Sequence, residues 1–421
     1  AASITVLRAA NADVNMARRD DGMTPVYIAA RNGHAEAIIA LRIAGADVTT
    51  QLPKDNTTPV YIAACNGHAK AIAALYDVGA NVNTPDRNGK TPMHIAIQEG
   101  HGEAIIALHK AGVDVKTQMP DGMTWMHIAA CYGHANTITA LHAAGVEVDA
   151  PDKNGVRPVY IAAYNGHAAA IAALSAAGAD VNTAKPDGTT PVYIAAYNGH
   201  AATITALKAA GADVNTPDYE GITPLWAAAE MGHPDAIAIL KKAGADVNMP
   251  DNNGRTPVRA AAYNGHADTI AALKDMGADV DMPDRQGIPP VWVAAAEGHV
   301  KTVIALKEAG ADVDMPDYHG RTPVWIAAAE GHAKTIIALK KMGADVDISD
   351  NEGETPVYAA AYNGNAKLIA VLKDVGADVD IPTKNGKTPL WIAAKKGHVK
   401  AIAALKEAEA DVDISDNEGR T

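Results

Sequence analysis

Histidine stands behind glycine at His34, His68, His101, His134, His167, His200, His233, His266, His299, His332 and His398, and Asn365 breaks the series. A row of imidazoles invites a metal reading, because neutral histidine is a ready zinc ligand. Bonds of about 2 Å require ligands that converge on one point. These histidines instead recur once per copy of a repeating segment, too far apart to share an ion. The reading is structural: each imidazole makes a local hydrogen bond to loop backbone. Aspartates alternate at Asp279/Asp281, Asp312/Asp314, Asp345/Asp347, Asp378/Asp380 and Asp411/Asp413. A calcium loop needs more oxygen ligands and a glutamate twelve positions in. That pattern is missing, so the aspartates read as a solvated acidic face. No phosphate-cradling glycine motif follows a strand pattern, and no unique nucleophile stands out. The expectation is no catalytic residue, no metal and no cofactor.

The periodicity that explains these residues is carried by Thr190 to Ile222, a 33-residue segment of which the chain is built in near-copies. A fixed period of this size marks a solenoid, whose units bury their faces against their neighbours. Thr190 and Pro191 open the unit as a helix cap and a first helical residue. A short helix follows to Asn198, and Gly199 ends it. A second helix runs from about Ala201 to Ala210, with Ile204 and Leu207 on one face. The rest, rich in Asp, Asn, Pro and Gly, reads as an extended arm with a turn. The alanine pair in the first helix lets neighbouring helices approach closely at no cost in propensity. Helix starts at residues 24, 58, 91, 124, 157, 190, 223, 256, 289, 322, 355 and 388 give twelve repeats, with one extra residue in the arm at Thr49–Asp55. Residues 1–23 read as a partial repeat, and the chain closes on the opening of a thirteenth, as expected of a piece of a longer array. The whole chain is expected to be one solenoid, a curved rod on the order of 120 Å at about 10 Å per packed layer.

The run TPVYIAA, NGHA, AGADVN and D-x-x-G resembles the ankyrin repeat. The resemblance covers essentially the whole chain and is highly specific, since about ten positions recur in phase. It implies an all-α repeat solenoid of stacked helix–turn–helix units with projecting β-hairpins. It also implies protein binding through the hairpin tips and the concave surface of the first helices. The family's first-helix histidine is kept only at His94 and His127. Tyr27, Tyr61, Tyr160, Tyr193, Trp226, Arg259, Trp292, Trp325, Tyr358 and Trp391 replace it and read as structural. Lys208, Lys241, Lys274, Lys307, Lys340, Lys373 and Lys406 stand where the family has a second leucine, which predicts a wetter outer layer. Glu409 replaces the glycine that ends the second helix elsewhere. Trp125 displaces the opening proline, and Arg157 and Pro289 the capping threonine.

Positions the repeat leaves free carry any specificity. Those at the end of the first helix face the concave groove if the resemblance holds: Tyr132, Tyr164, Asn165, Tyr197, Asn198, Glu230, Met231, Tyr263, Asn264, Glu297, Glu330 and Tyr362. Tyrosine offers large rigid area with a polar tip, and asparagine adaptable donors and acceptors. The rings could equally cover the alanine-rich helix. A net charge of −13 argues against nucleic acid. Together with aspartate-ended arms in the C-terminal half, it favours a protein partner with a basic segment, lying in the groove from about the fourth to the eighth repeat. No stretch of about 18 apolar residues exists, so no membrane insertion is expected. Two cysteines, Cys65 and Cys131, lie two repeats apart, about 20 Å, beyond disulfide reach. That fits an intracellular, cytoplasmic setting. The functional expectation is a non-catalytic protein–protein interaction scaffold. The rivals are a structural spacer or subunit of a larger assembly, favoured by the uniform Tyr-Asn positions, and a regulatory segment of a longer multidomain protein.

Overall fold

A computed structural model describes residues 13–419. The expected residues of the partial repeat before Asp13 lie outside that range. The described residues contain 24 helices in twelve pairs, from α1 (Pro25–Arg31) and α2 (Ala35–Ile43) to α23 (Pro389–Lys396) and α24 (Val399–Glu407). They form an all-α repeat solenoid whose described residues fall into two compact bodies. The first runs through residue 195 and includes residues 202–213; the second comprises residues 196–201 and those from 214 onward.

Each first helix starts as its sequence dictates. The threonine hydroxyl accepts from the amide three residues on, as in Thr58 from Tyr61 at 3.1 Å and Thr223 from Trp226 at 3.2 Å. Proline follows where its missing amide loses nothing. The irregular starts solve the problem differently. Thr124 forms a capping box with His127. Pro289 and Arg157 make no side-chain cap bond. Arg157 instead donates through Nη1 to the carbonyl of Asp149 in the preceding repeat's arm, so it is not simply a lost cap.

Packing follows the small–large pattern. In the eighth repeat, Ala261 and Ala262 of the first helix and Ile270 and Leu273 of the second are fully buried. Burial of one such Ile or Leu side chain is worth about 1.5–3 kcal/mol. The lysines from Lys208 to Lys406 are exposed on the outer helices, so that layer is as wet as their spacing predicts.

The arms differ from the expected β-hairpins: the described residues contain no strand. The reason is the aspartate of D-x-x-G. Asp218 Oδ1 accepts from the amides of Glu220 and Ile222, both at 2.9 Å, and the Asp218 amide donates to Ile222 O at 3.0 Å. Asp251 and Asp317 do the same for their arms and are nearly buried. Amides that a ladder would use are thus committed to a side chain. Between arms the backbone shares single bonds, such as Asn252 N to Glu220 O at 3.0 Å. At the inserted residue, Asn56 takes the left-handed backbone (φ 59°) that glycine supplies in other arms.

Candidate partner-binding face

The joint between repeats positions the first-helix ends. The Gly-His imidazoles of His68, His101, His134, His167, His266, His299, His332 and His398 reach across to the previous repeat rather than to their own loops. His101 Nε2 pairs with Cys65 O at 2.9 Å, His299 with Tyr263 O at 3.0 Å, His332 with Ala296 O at 2.9 Å and His398 with Tyr362 O at 3.0 Å. The expected local bond is therefore corrected to an inter-repeat one. Its acceptor is one of the carbonyls a helix end leaves without an intrahelical partner. The glycine has a matching role. Gly298 sits at φ 72°, and a Cβ there would stand 2.6 Å from His332 Nδ1. Asn365, where the series breaks, caps its own helix by accepting from Leu368 N at 3.2 Å. Among the described residues no group of three or more His, Cys, Asp or Glu could hold a metal.

Several aromatics near the first-helix start bridge the next arm, whereas Trp125 and Trp292 bury their Nε1 without a hydrogen-bond partner. Trp226 Nε1 donates to Arg255 O and Trp325 Nε1 to Glu354 O, each at 2.9 Å, and Tyr27 Oη pairs with Thr57 Oγ1 at 2.9 Å. Arg259 substitutes an ion pair with Asp284 at 3.0 Å. These groups are structural, as expected. Tyr27 and Tyr358 are nearly buried, at 3% and 4% exposure. Burial, followed by the charge of Glu354, pushes the Tyr358 phenol up to about 12.

The tyrosines at the opposite end of the first helix behave differently. In the first body, Tyr132 is 43% exposed and Tyr164 55%. In the second, Tyr263 is 52% exposed and Tyr362 45%, with Met231 at 39%. Tyr197, Asn198 and Glu230 are half-buried, whereas Asn165, Glu297 and Glu330 are exposed. Burial raises the Glu230 carboxyl above its ordinary value, and the charge of Arg255 opposes it. Tyr132 stacks on the ring of His134 at 6.3 Å. The asparagines are less free than the sequence suggests. Asn165 Nδ2 donates to Ile161 O at 2.9 Å and Asn264 Nδ2 to Ala260 O at 3.1 Å, so each commits one donor to its own helix end.

Two features escaped the sequence reading. Lys396 places its ammonium 4.0 Å over the Tyr362 ring, and Lys387 and Lys395 flank Trp391 at 4.9 Å. The run of Lys395 and Lys396 was a visible signal for this. The aspartate arms are not merely solvated. Asp281, Asp314, Asp347 and Asp380 accept from the backbone amides of Asp312, Asp345, Asp378 and Asp411 in the following repeat, at 2.9–3.1 Å. Desolvation, assisted by neighbouring aspartates, raises all four carboxyls above their ordinary value.

Capped helix pairs, Asx-turn arms and side chains that cross from repeat to repeat define a helical-repeat protein. Models of ankyrin repeats match residues 2–42 and, in overlapping sets, residues 42–416. The chain belongs to the ankyrin-repeat family. Ankyrin repeats are generally protein–protein interaction modules and typically non-catalytic. Among curated proteins none matches the chain. No described helix is long and apolar enough to cross a membrane.

Proposed function

We propose that this chain is a non-catalytic binding scaffold that takes protein segments on the face formed by the first-helix ends. The observation that carries the reading is the division of the tyrosines. Those near the helix starts are mostly buried and tied to the next arm, while Tyr132, Tyr164, Tyr263 and Tyr362 hold about half their surface in solvent. Exposed tyrosines repeated at one register supply the rigid amphipathic area that interfaces favour. Around them, Glu297, Glu330 and the net charge of −13 favour a partner of basic character and disfavour nucleic acid. The unpaired thiols Cys65 and Cys131 support an intracellular setting.

The test is selection of peptides from an unbiased display library against the whole chain, followed by calorimetry with Tyr132, Tyr164, Tyr263 and Tyr362 replaced singly by alanine. At least one exposed tyrosine is expected to weaken the selected ligands about tenfold. Ligands indifferent to all four substitutions contradict the proposal.

A further inference from the structure

Within the second body, one stretch of the first-helix ends has a sharper chemistry. In four successive repeats the last two positions before the glycine read Tyr263-Asn264, Ala296-Glu297, Ala329-Glu330 and Tyr362-Asn363. Two exposed tyrosines thus bracket two repeats whose matching position is alanine, the smallest side chain that keeps the helix. Beside each alanine stands an exposed glutamate, and neither Glu297 nor Glu330 makes an ion pair among the described residues. The backbone beneath is fixed. The carbonyls of Tyr263, Ala296 and Tyr362 are held by His299, His332 and His398, and that of Ala329 accepts from Asn363 Nδ2 at 3.0 Å. Beyond Tyr362 the sign changes: Lys396 lies over its ring and Lys395 is the next residue in the register.

Stacked helices recur at about 8–10 Å. Polyproline II recurs every three residues with about 3.1 Å rise, which places side chains i and i+3 on one side about 9 Å apart. An α-helix reaches a comparable same-face spacing only at i and i+7, about 10.5 Å along its axis, and carries i+3 and i+4 on that face between them, over neither glutamate. Aromatic-lined surfaces also dock proline rings well, and a preformed segment loses little entropy on binding.

We propose, resting on the reading of this face as a protein-binding surface, that residues 263–363 take a polyproline II segment carrying two cationic side chains three residues apart. The two cations meet Glu297 and Glu330. One period outside them on each side, a proline packs on Tyr263 or on Tyr362. Alanine at 296 and 329 leaves room for the segment to lie close to the helix ends. Lys395 and Lys396 disfavour a further cation at the Tyr362 end and set the direction in which the charge pattern can continue.

The probe is a fluorescein-labelled synthetic peptide with lysines at i and i+3 and prolines three residues outside each, titrated against the whole chain by anisotropy. A control peptide of the same composition has its lysines at i and i+2. The protein variants are E297Q/E330Q and Y263A/Y362A, all at exposed positions and checked for native helicity by circular dichroism. The expected result is binding of the spaced peptide, with an affinity about tenfold lower for the shifted peptide and for each double variant. Equal affinity for the two spacings, full affinity in E297Q/E330Q, or no binding of the spaced peptide overturns the proposal. Library-selected ligands separate the two readings. If they need the exposed tyrosines but carry no paired cations, the binding face stands and this assignment falls. If they ignore the tyrosines, both fall.

Discussion

Replacing Asp281, Asp314, Asp347 and Asp380 together by asparagine should stabilise the second body. The structure contains its own control. At Asn215 the side chain works from both ends: Oδ1 accepts from Asp246 N at 2.9 Å and Nδ2 donates to Gly244 O at 3.1 Å. The four aspartates keep the first bond and lack the donor for the second. Their counterparts of Gly244 are the carbonyls of Gly310, Gly343, Gly376 and Glu409, 29 residues on. Each carboxylate is also partly desolvated. Asp281 faces Asp279 and Asp312 with Lys274 as its counter-charge, Asp314 faces Asp312 and Asp345 with Lys307, Asp347 faces Asp345 and Asp378 with Lys340, and Asp380 faces Asp378 and Asp411 with Lys373. A new neutral hydrogen bond contributes about 0.5–1.5 kcal/mol, while a charge-assisted bond weakens to a neutral one. The upward direction of all four carboxyls says that the ionised form is the disfavoured one in the folded chain. A net gain of about 0.5 kcal/mol per site follows, about 2 kcal/mol for four sites that add roughly independently. Global melting of a repeat array is not two-state, so the assay is native-state hydrogen exchange at the amides of residues 279–411. Slower exchange in the variant is expected. A raised folded-state carboxyl contributes stability below its unfolded value and loses it as pH rises through the folded value. Intrinsic-rate-corrected protection in the parent chain should therefore increase on mild acidification toward the carboxylate range, and the variant should lose that increase. Faster exchange in the variant, or an unchanged pH response, refutes the reasoning.

The histidine joint gives a coupled pair: Gly298→Ala should destabilise by more than about 1 kcal/mol, from the left-handed backbone and the clash with His332, and adding His332→Ala should recover part of that in a double-mutant cycle. Glu409→Gly should stabilise the last repeat by about 1 kcal/mol, since Glu409 sits at φ 65°, read as slower exchange in Val399–Glu407. Arg157→Thr restores a cap worth about 1 kcal/mol but removes the bond to Asp149 O, so hydrogen-exchange protection of the helix Pro158–Tyr164 should change little; a large change either way contradicts that balance. In the first body the pH sign reverses at Asp187. Burial pushes its carboxyl up, but bonds from Lys185 and Thr189 outweigh this and hold it at about 2. Its contribution is present above the ordinary aspartate value and fades as pH falls toward about 2, which exchange around residues 185–189 would register.

The repeat, its helix starts and its core were legible because each is a local rule copied twelve times. Thr-Pro sets the cap, Ala-Ala the close approach, and Ile and Leu three apart the buried face. The arms were misread as hairpins because Asp, Pro and Gly announce a turn without saying whether the flanking amides pair with a strand or with the aspartate itself. Gly-His was seen to be structural, yet its reach into the previous repeat depends on stacking distance, which no single repeat encodes. The same holds for the aspartate ladder: a charge pattern looks solvated until the neighbouring amide is placed against it. Tyrosines at two registers were separable by position, but only the structure shows that one set is mostly buried and the other about half exposed.

The central claim is that ligands sit on the first-helix ends. Its most direct measurement is site-specific photocrosslinking, with a benzophenone side chain placed in turn at Tyr164, Tyr263 and, on an exposed outer helix, Lys307. A library-selected peptide is the ligand and mass spectrometry reads the adducts. Adducts from Tyr164 or Tyr263 and none from Lys307 are predicted; adducts from Lys307 alone would contradict the account.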